Sequence, residues 1–194
     1  MNIPKDAKLV FKGVIFDIYQ WQQKMFDGSN ETFEAVKRLA TVQVIPTLDD
    51  KILLSFEEQP TKSLCYSFFG GRQEKNEEPP DTAKRELLEE TGLVCDDWEL
   101  FKVYKKDGKI DWPTYFYIAR NCRKAAEPQL DPGEKIQVKP VSFEEFMEVS
   151  TRDDFWGTKD IVIDLLKFKL DNTNLELFKK QLFQTRLLPY RQKK

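Results

Sequence analysis

Apolar and polar residues alternate, or β-forming residues cluster, in short runs through the first third of the chain. The runs are Leu9–Asp17, Tyr19–Phe26, Thr32–Lys37, Thr41–Pro46 and Lys51–Phe56, separated by turn formers such as Asp27-Gly-Ser-Asn30 and Leu48-Asp-Asp50. A period of two places successive side chains on opposite faces of a strand, so this stretch predicts a mainly antiparallel sheet. A further short strand, Leu64–Phe69, ends at Gly70-Gly71, and the polar loop Arg72–Glu78 leads into Pro79-Pro80-Asp81. Proline in a first turn beside an acidic residue is a helix start. Thr82–Thr91 is rich in helix formers, with Gly92 placed for a left-handed C-terminal cap. Beyond it, Trp98–Tyr104 and Thr114–Ala119 read as strands joined by Lys105-Lys-Asp-Gly-Lys109. Lys135–Val141 reads as another strand, and Phe143–Val149, Lys159–Leu170 and Leu175–Leu188 as helices. Strands on both sides of a central helix, with helices at the end, predict an α/β (α+β) fold whose mixed sheet lies between helices. No internal repeat is present.

At 194 residues, 40% apolar and 33% charged, the chain suits one globular domain with modest extensions. The polar N-terminus resembles no signal peptide and no stretch has bilayer-spanning length, so a soluble, cytoplasmic protein is expected. A formal charge of −2 gives no bulk attraction to nucleic acid, and the basic end Arg191–Lys194 reads as a solvated tail. Cys65, Cys95 and Cys122 are odd in number and form no CxxC pair, which predicts reduced thiols rather than a disulfide framework or zinc site. The chain has no histidine. Ser-His and Cys-His nucleophile systems are therefore excluded, and any metal must be held by oxygen ligands.

On a helix of 3.6 residues per turn, Glu86, Glu89 and Glu90 fall within an arc of roughly 100°, so three carboxylates share one face. Ala83 and Leu87 form an adjoining stripe for packing on the sheet. Arg85, four residues before Glu89, is placed to pair with it. An isolated Glu-Leu-Leu-Glu-Glu stretch is most often a solvated helix face, but here the wider spacing is also specific. Gly71 is followed after five residues by Glu77, and Glu77 after seven by Arg85-Glu86-Leu87-Leu88-Glu89-Glu90-Thr91-Gly92-Leu93.

This segment matches every fixed position of the Nudix box, and the chain is identified as a member of the Nudix hydrolases. The resemblance implies an α/β/α sandwich and water-driven cleavage of a diphosphate linkage in a small nucleotide, with Mg²⁺ as cofactor and Mn²⁺ as a substitute. Carried onto matching positions, it makes Glu86 and Glu90 the principal metal ligands and Glu89 a further ligand or water-orienting group. Gly70 becomes a carbonyl ligand, Glu77 a supporting glutamate and Gly71 a site of close backbone approach, with Arg85 orienting carboxylates and Gly92 structural. Hard cations prefer such oxygen donors, and they can clamp phosphate oxygens while acidifying a water.

Outside the box, the strands through Thr32–Arg38 resemble the additional N-terminal antiparallel sheet of ADP-ribose pyrophosphatases, which implies a homodimer and places Glu34 and Arg38 near its substrate pocket. The expected organisation is N-terminal strands over 1–38, a Nudix domain over 39–170 and a C-terminal helix with basic tail over 171–194. Leu130–Val138 resembles the acidic loop that supplies a late glutamate acting on the nucleophilic water, here Glu134. Two departures stand out. Asp107 occupies the position of a proline, with Pro113 too late, and Glu57–Thr61 lacks an arginine that contacts the diphosphate, for which Arg72 or Lys62 are substitutes. Tyr66, Phe68, Trp112 and Tyr115 are stacking candidates, although aromatics at strand spacing more often belong to the core. ADP-ribose or a related nucleotide sugar is the expected substrate. Dinucleoside polyphosphates, nucleoside triphosphates, RNA caps and a non-catalytic ligand-binding module remain as alternatives.

Overall fold

The structure is a computed structural model that describes residues 3–106 and 108–184. Strands β1 (Lys8–Lys12), β2 (Asp17–Lys24) and β3 (Asn30–Lys37) open the chain. β4 (Thr41–Leu48), β5 (Lys51–Gln59) and β6 (Lys62–Ser67) precede helix α1 (Pro79–Thr91), and β7 (Leu93–Tyr104), β8 (Ile110–Asp111), β9 (Thr114–Lys124) and β10 (Lys135–Val141) follow it. The remainder is α2 (Phe143–Val149), β11 (Phe155–Trp156), α3 (Lys159–Lys169) and α4 (Asn172–Phe183). One sheet has the order β1-β2-β3-β8; the other runs β11-β6-β5-β4-β9-β7, with β10 on β5. The second sheet is mixed, since β4 runs parallel to β9 and antiparallel to β5. The N-terminal sheet is antiparallel except where the two-residue β8 joins β3 in parallel.

Neighbouring residues of the central strands divide between two cores, as a pleated strand requires. Ile45, Ile52, Leu54, Phe68, Phe116 and Ile118 face α2, α3 and α4, whose Phe146, Ile161, Leu165 and Phe178 complete a large aromatic core. Val42, Val44, Leu53, Phe69, Tyr117 and Ala119 face α1, which contributes Ala83 and Leu87. Burial of Leu87 alone contributes about 2 kcal/mol. Helices on both sheet faces make the α/β/α sandwich. No described helix is long and apolar enough to cross a membrane.

Several local expectations give way to tertiary structure. The run Leu9–Asp17 is broken at Gly13–Phe16, where Gly13 N donates to Phe16 O (2.9 Å) and the chain turns between β1 and β2. Strand β7 begins at Leu93, five residues before the apolar pattern becomes regular, because β9 pairs with it from Lys124 back to Thr114. The pairs β8 and β11 have no local pattern and exist through their neighbours. Helix α4 starts at Asn172, since the Asp171 carboxylate accepts from Thr173 N (2.9 Å) and Asn174 N (3.2 Å). The predicted end of that helix at 185–188, Asp107 and the basic tail lie outside the described residues.

The expectation of three reduced thiols is overturned. Cys95 and Cys122 form a disulfide, and only Cys65 is free. Their separation of 27 residues carries no signal, but the antiparallel register of β7 and β9 sets them directly opposite each other.

Candidate active site

Ile52 pairs with both Thr47 and Val141, and Ser55 with both Ser67 and Val138. β10 therefore follows one edge of β5, while β4 and β6 share the other in succession. The chain leaving β6 crosses this fork and runs along the free half of β4: Val44 N donates to Phe69 O (2.8 Å), Val42 N to Gly71 O (2.9 Å) and Gln73 N to Ala40 O (2.9 Å). Gly70 and Gly71 are thereby pressed between β4 and α1. Gly70 N donates to Glu90 Oε2 (2.8 Å). A Cβ on Gly71 would stand 2.5 Å from Glu86 Oε1, so any larger residue would displace that carboxylate. Gly92 takes the left-handed conformation (φ 71°) at the end of α1, its N–H donating to Leu88 O (2.7 Å).

Arg85 organises the outer side of the helix. Its Nε and Nη2 donate to the two oxygens of Glu77 (3.0 and 3.1 Å), while Nη1 donates to Glu86 Oε1 (3.0 Å) and Glu89 Oε2 (2.9 Å). Glu77 also accepts from Thr82 Oγ1 (2.7 Å) and Glu74 N (3.1 Å). The Arg85 hydrogen bonds, aided by Thr82 and Glu74, overcome burial and hold the Glu77 carboxyl down at about 2. The pairing of Arg85 with Glu89 is the contact expected from their spacing.

The inner carboxylates are held differently. Glu90 is 6% exposed and accepts from Gly70 N. Burial, reinforced by Glu86, Glu57 and Glu134, pushes its carboxyl well above the ordinary range. Burial also raises Glu86 to about 7, with Arg85 opposing the shift and Glu89 and Glu134 adding to it. Glu134 sits on the turn before β10, where its N–H donates to Asp131 O (2.9 Å), and burial raises its carboxyl as well. Glu86, Glu89, Glu90 and Glu134, together with Gly71, Arg72 and Arg85, line one cleft of about 200 Å³.

An oxygen-only donor set that is buried and short of positive charge fits a divalent cation. Among the described residues, no group of three or more acidic side chains is closed tightly enough to hold an ion as it stands. Glu86 and Glu89 turn outward to share Arg85, while Glu90 turns inward to Gly70.

Arg38 and Glu34 lie away from this cleft. Glu34 is exposed on β3, where it accepts from Gln20 Nε2 (3.1 Å), and it lines neither the cleft nor the pocket beside it. Arg38 lines that second pocket, of about 570 Å³, and Arg72 lines both. Lys62 is engaged elsewhere, in a buried ion pair with Glu57 and 4.8 Å from the Trp156 ring. Of the aromatic candidates, Phe68 belongs to the large core, Tyr66 packs against it, and Tyr115 packs against the smaller one. Trp112 stacks on Arg38.

Gln129, Asp131 and Glu57 escaped the sequence reading. The first two line the cleft, because Gln129 N donates to Glu89 O (2.7 Å) and ties their loop to the helix. Glu57 is buried, accepts from Ser55 Oγ (3.1 Å), and adds its charge to those acting on Glu90 and Glu134. The usable signal was periodic: Leu53, Ser55 and Glu57 share the α1-facing side of β5, so an inward polar pair follows an inward leucine.

Residues 37–165 match the NUDIX domain family. A Bacillus subtilis (strain 168) protein named ADP-ribose pyrophosphatase is 27% identical over 167 residues, covering 82% of this chain and 89% of its own length. A Bacillus methanolicus protein named methanol dehydrogenase activator is 24% identical over 157 residues, covering 79% of this chain and 85% of its own. A solved structure described as an ADP compounds hydrolase superposes with a TM-score of 0.67 at 18% identity, covering 87% of this chain and 94% of that one.

Proposed function

The chain belongs to the NUDIX family, and from that premise we propose that it is a divalent-metal-dependent pyrophosphohydrolase. It splits the diphosphate of a nucleoside diphosphate derivative, ADP-ribose or a related nucleotide sugar, into two monophosphates. The observation that carries this reading is the cleft in which Glu86, Glu89, Glu90 and Glu134 meet while burial opposes the charge on three of them. The names of the Bacillus subtilis relative and of the superposed hydrolase support the choice of substrate.

Glu86 and Glu90, with Glu89 and the Gly70 carbonyl, would hold Mg²⁺, or Mn²⁺ in its place. When bound, the cation neutralises phosphoryl oxygens and lowers the pKa of water. Glu134 accepts the proton of the attacking water, since the chain has no histidine to do so. The water oxygen bonds to one phosphorus, the bridging P–O bond breaks, and the second phosphate leaves. Arg85 keeps Glu86 and Glu89 oriented, and Glu77 keeps Arg85 in place. The exposed Phe11 of β1 and Val14 of the turn that follows it are read as a homodimer contact, for which light scattering should return twice the chain mass.

The test is incubation of the purified protein with Mg²⁺ and a panel of nucleotide sugars, dinucleotides and triphosphates, with identification of the phosphorylated products. AMP and ribose 5-phosphate from ADP-ribose are expected. Failure to open the diphosphate of any nucleotide sugar would sink the assignment.

A further inference from the structure

The pocket beside the carboxylate cleft contains an unusual pair of cations. Four of the described arginines, Arg85, Arg120, Arg123 and Arg152, form ion pairs with carboxylates. Arg38 and Arg72 do not, and they are neighbours. An antiparallel bridge between Thr41 and Arg72 brings Arg72 alongside the segment that carries Arg38. Arg38 is fixed by stacking, its guanidinium carbon 4.1 Å from the Trp112 ring centre and 5.6 Å from that of Phe16. Trp112 is itself anchored by donating to Thr41 Oγ1 (2.9 Å). With its face against rings, Arg38 still has a buried Nε without any hydrogen-bond partner.

A buried donor left unpaired costs about 1–3 kcal/mol, and two adjacent guanidiniums repel each other. Burial and then Arg72 lower the proton affinity of Arg38 accordingly. Lys12 and Lys75 add to the positive lining; the carboxylates of Asp17 and Glu74 lie in the same wall, but neither is in an ion pair with these cations. An anion between the two arginines would relieve the repulsion and supply the counter-charge that neither has. The fork of N–H groups on a guanidinium matches the oxygens of a phosphoryl group.

We infer that this pocket binds a phosphoryl group of the substrate additional to the diphosphate under attack. The inference rests on the pyrophosphohydrolase reading above. Arg72 lines both cavities whereas Arg38 lines only the second, so the extra phosphate lies beyond the scissile linkage and not within it. Two substrate chemistries present such a group: a nucleotide phosphorylated on its ribose, and a dinucleotide with a longer phosphate chain.

The experiment measures kcat/KM of the full chain, at fixed Mg²⁺ and ionic strength, for ADP-ribose, its 2′-phosphorylated analogue and diadenosine triphosphate. At least one of the latter two should exceed ADP-ribose by about tenfold or more, and which one does tells a branch from a chain extension. Arg38→Met should bring that ratio to within about twofold of unity. Should that variant fail to fold, Lys75→Met in the same wall should lower the ratio by about threefold. Equal turnover of all three substrates, or a preference untouched by the variants, overturns the inference while leaving the pyrophosphohydrolase reading intact. Absence of cleavage for all three overturns the inference, and it overturns the pyrophosphohydrolase reading as well if no other nucleotide sugar is opened.

Discussion

Two buried clusters of charge lie on opposite faces of the same sheet, and they are built on opposite principles. On the side of α4, Arg120 is 2% exposed and donates to Asp97 (3.2 Å), to Glu99 and to Gln181 O, while Gln181 Nε2 donates to Glu99 (3.0 Å). A cation has been matched to acids and a helix carbonyl, so its charge fastens α4 to β9. On the side of α1, Glu90 is almost as buried, yet the charged groups acting on it are Glu86, Glu57 and Glu134, and it accepts its hydrogen bond from the backbone N–H of Gly70. A balanced cluster stabilises the chain that contains it. An unbalanced one is the kind of cluster that a bound cation would complete, which is why the proposed site is placed there.

The contrast is tested most severely by removing the cation of the balanced cluster. Arg120→Met leaves Asp97 and Glu99 without their guanidinium and should cost about 3–5 kcal/mol. Chemical denaturation would show it, with activity per folded molecule kept within about twofold. Retention of full stability would mean that the two clusters do not differ in kind.

Glu90→Gln should do the reverse. The amide oxygen can still accept from Gly70 N, so the fold survives, but metal-dependent turnover should fall at least about a hundredfold, near 2.7 kcal/mol of transition-state stabilisation. Steady-state kinetics alongside circular dichroism separate the two effects. Turnover like that of the parent protein would remove Glu90 from the ligand set.

Glu77 and Glu86 supply a finer test, since one carboxyl is lowered to about 2 and the other raised to about 7. A lowered acid contributes stability that is complete above its unfolded value near 4.5 and lost as pH falls through about 2. Glu77→Gln should therefore cost about 2 kcal/mol at pH 7, a deficit that shrinks below pH 4.5. A raised acid has the opposite sign: it weakens the metal-free fold as pH climbs from 4.5 to 7. Metal-free Glu86→Gln should melt about 3 °C higher than the parent above pH 7 and equal to it below pH 4.5. Thermal melts of both variants across this range give the answer, and like-signed curves would refute the claim that Arg85 outweighs burial at Glu77 while burial outweighs Arg85 at Glu86.

The helix itself was legible because its signals are local. Pro79, the spacing of Ala83 and Leu87, and Gly92 fix its start, its buried stripe and its stop, and the positions of Glu86, Glu89 and Glu90 follow from 3.6 residues per turn. Strands β3 to β6 were legible for a similar reason, through period two and intervening turns. The short β8 and β11, the early start of β7 and the Cys95–Cys122 bond were not, because each depends on a partner far away in sequence.

By itself the sequence determined the family, the α/β/α architecture and the acidic helix, since motif spacing and hydrophobic period are properties of neighbouring residues. Only the tertiary structure decided which glutamates lose their water, how the fork between β4 and β6 sets Gly70 against Glu90, and that Arg38 comes beside Arg72 with neither in an ion pair. Those outcomes depend on desolvation and on the distance between charges, and both come into existence only when remote segments pack together.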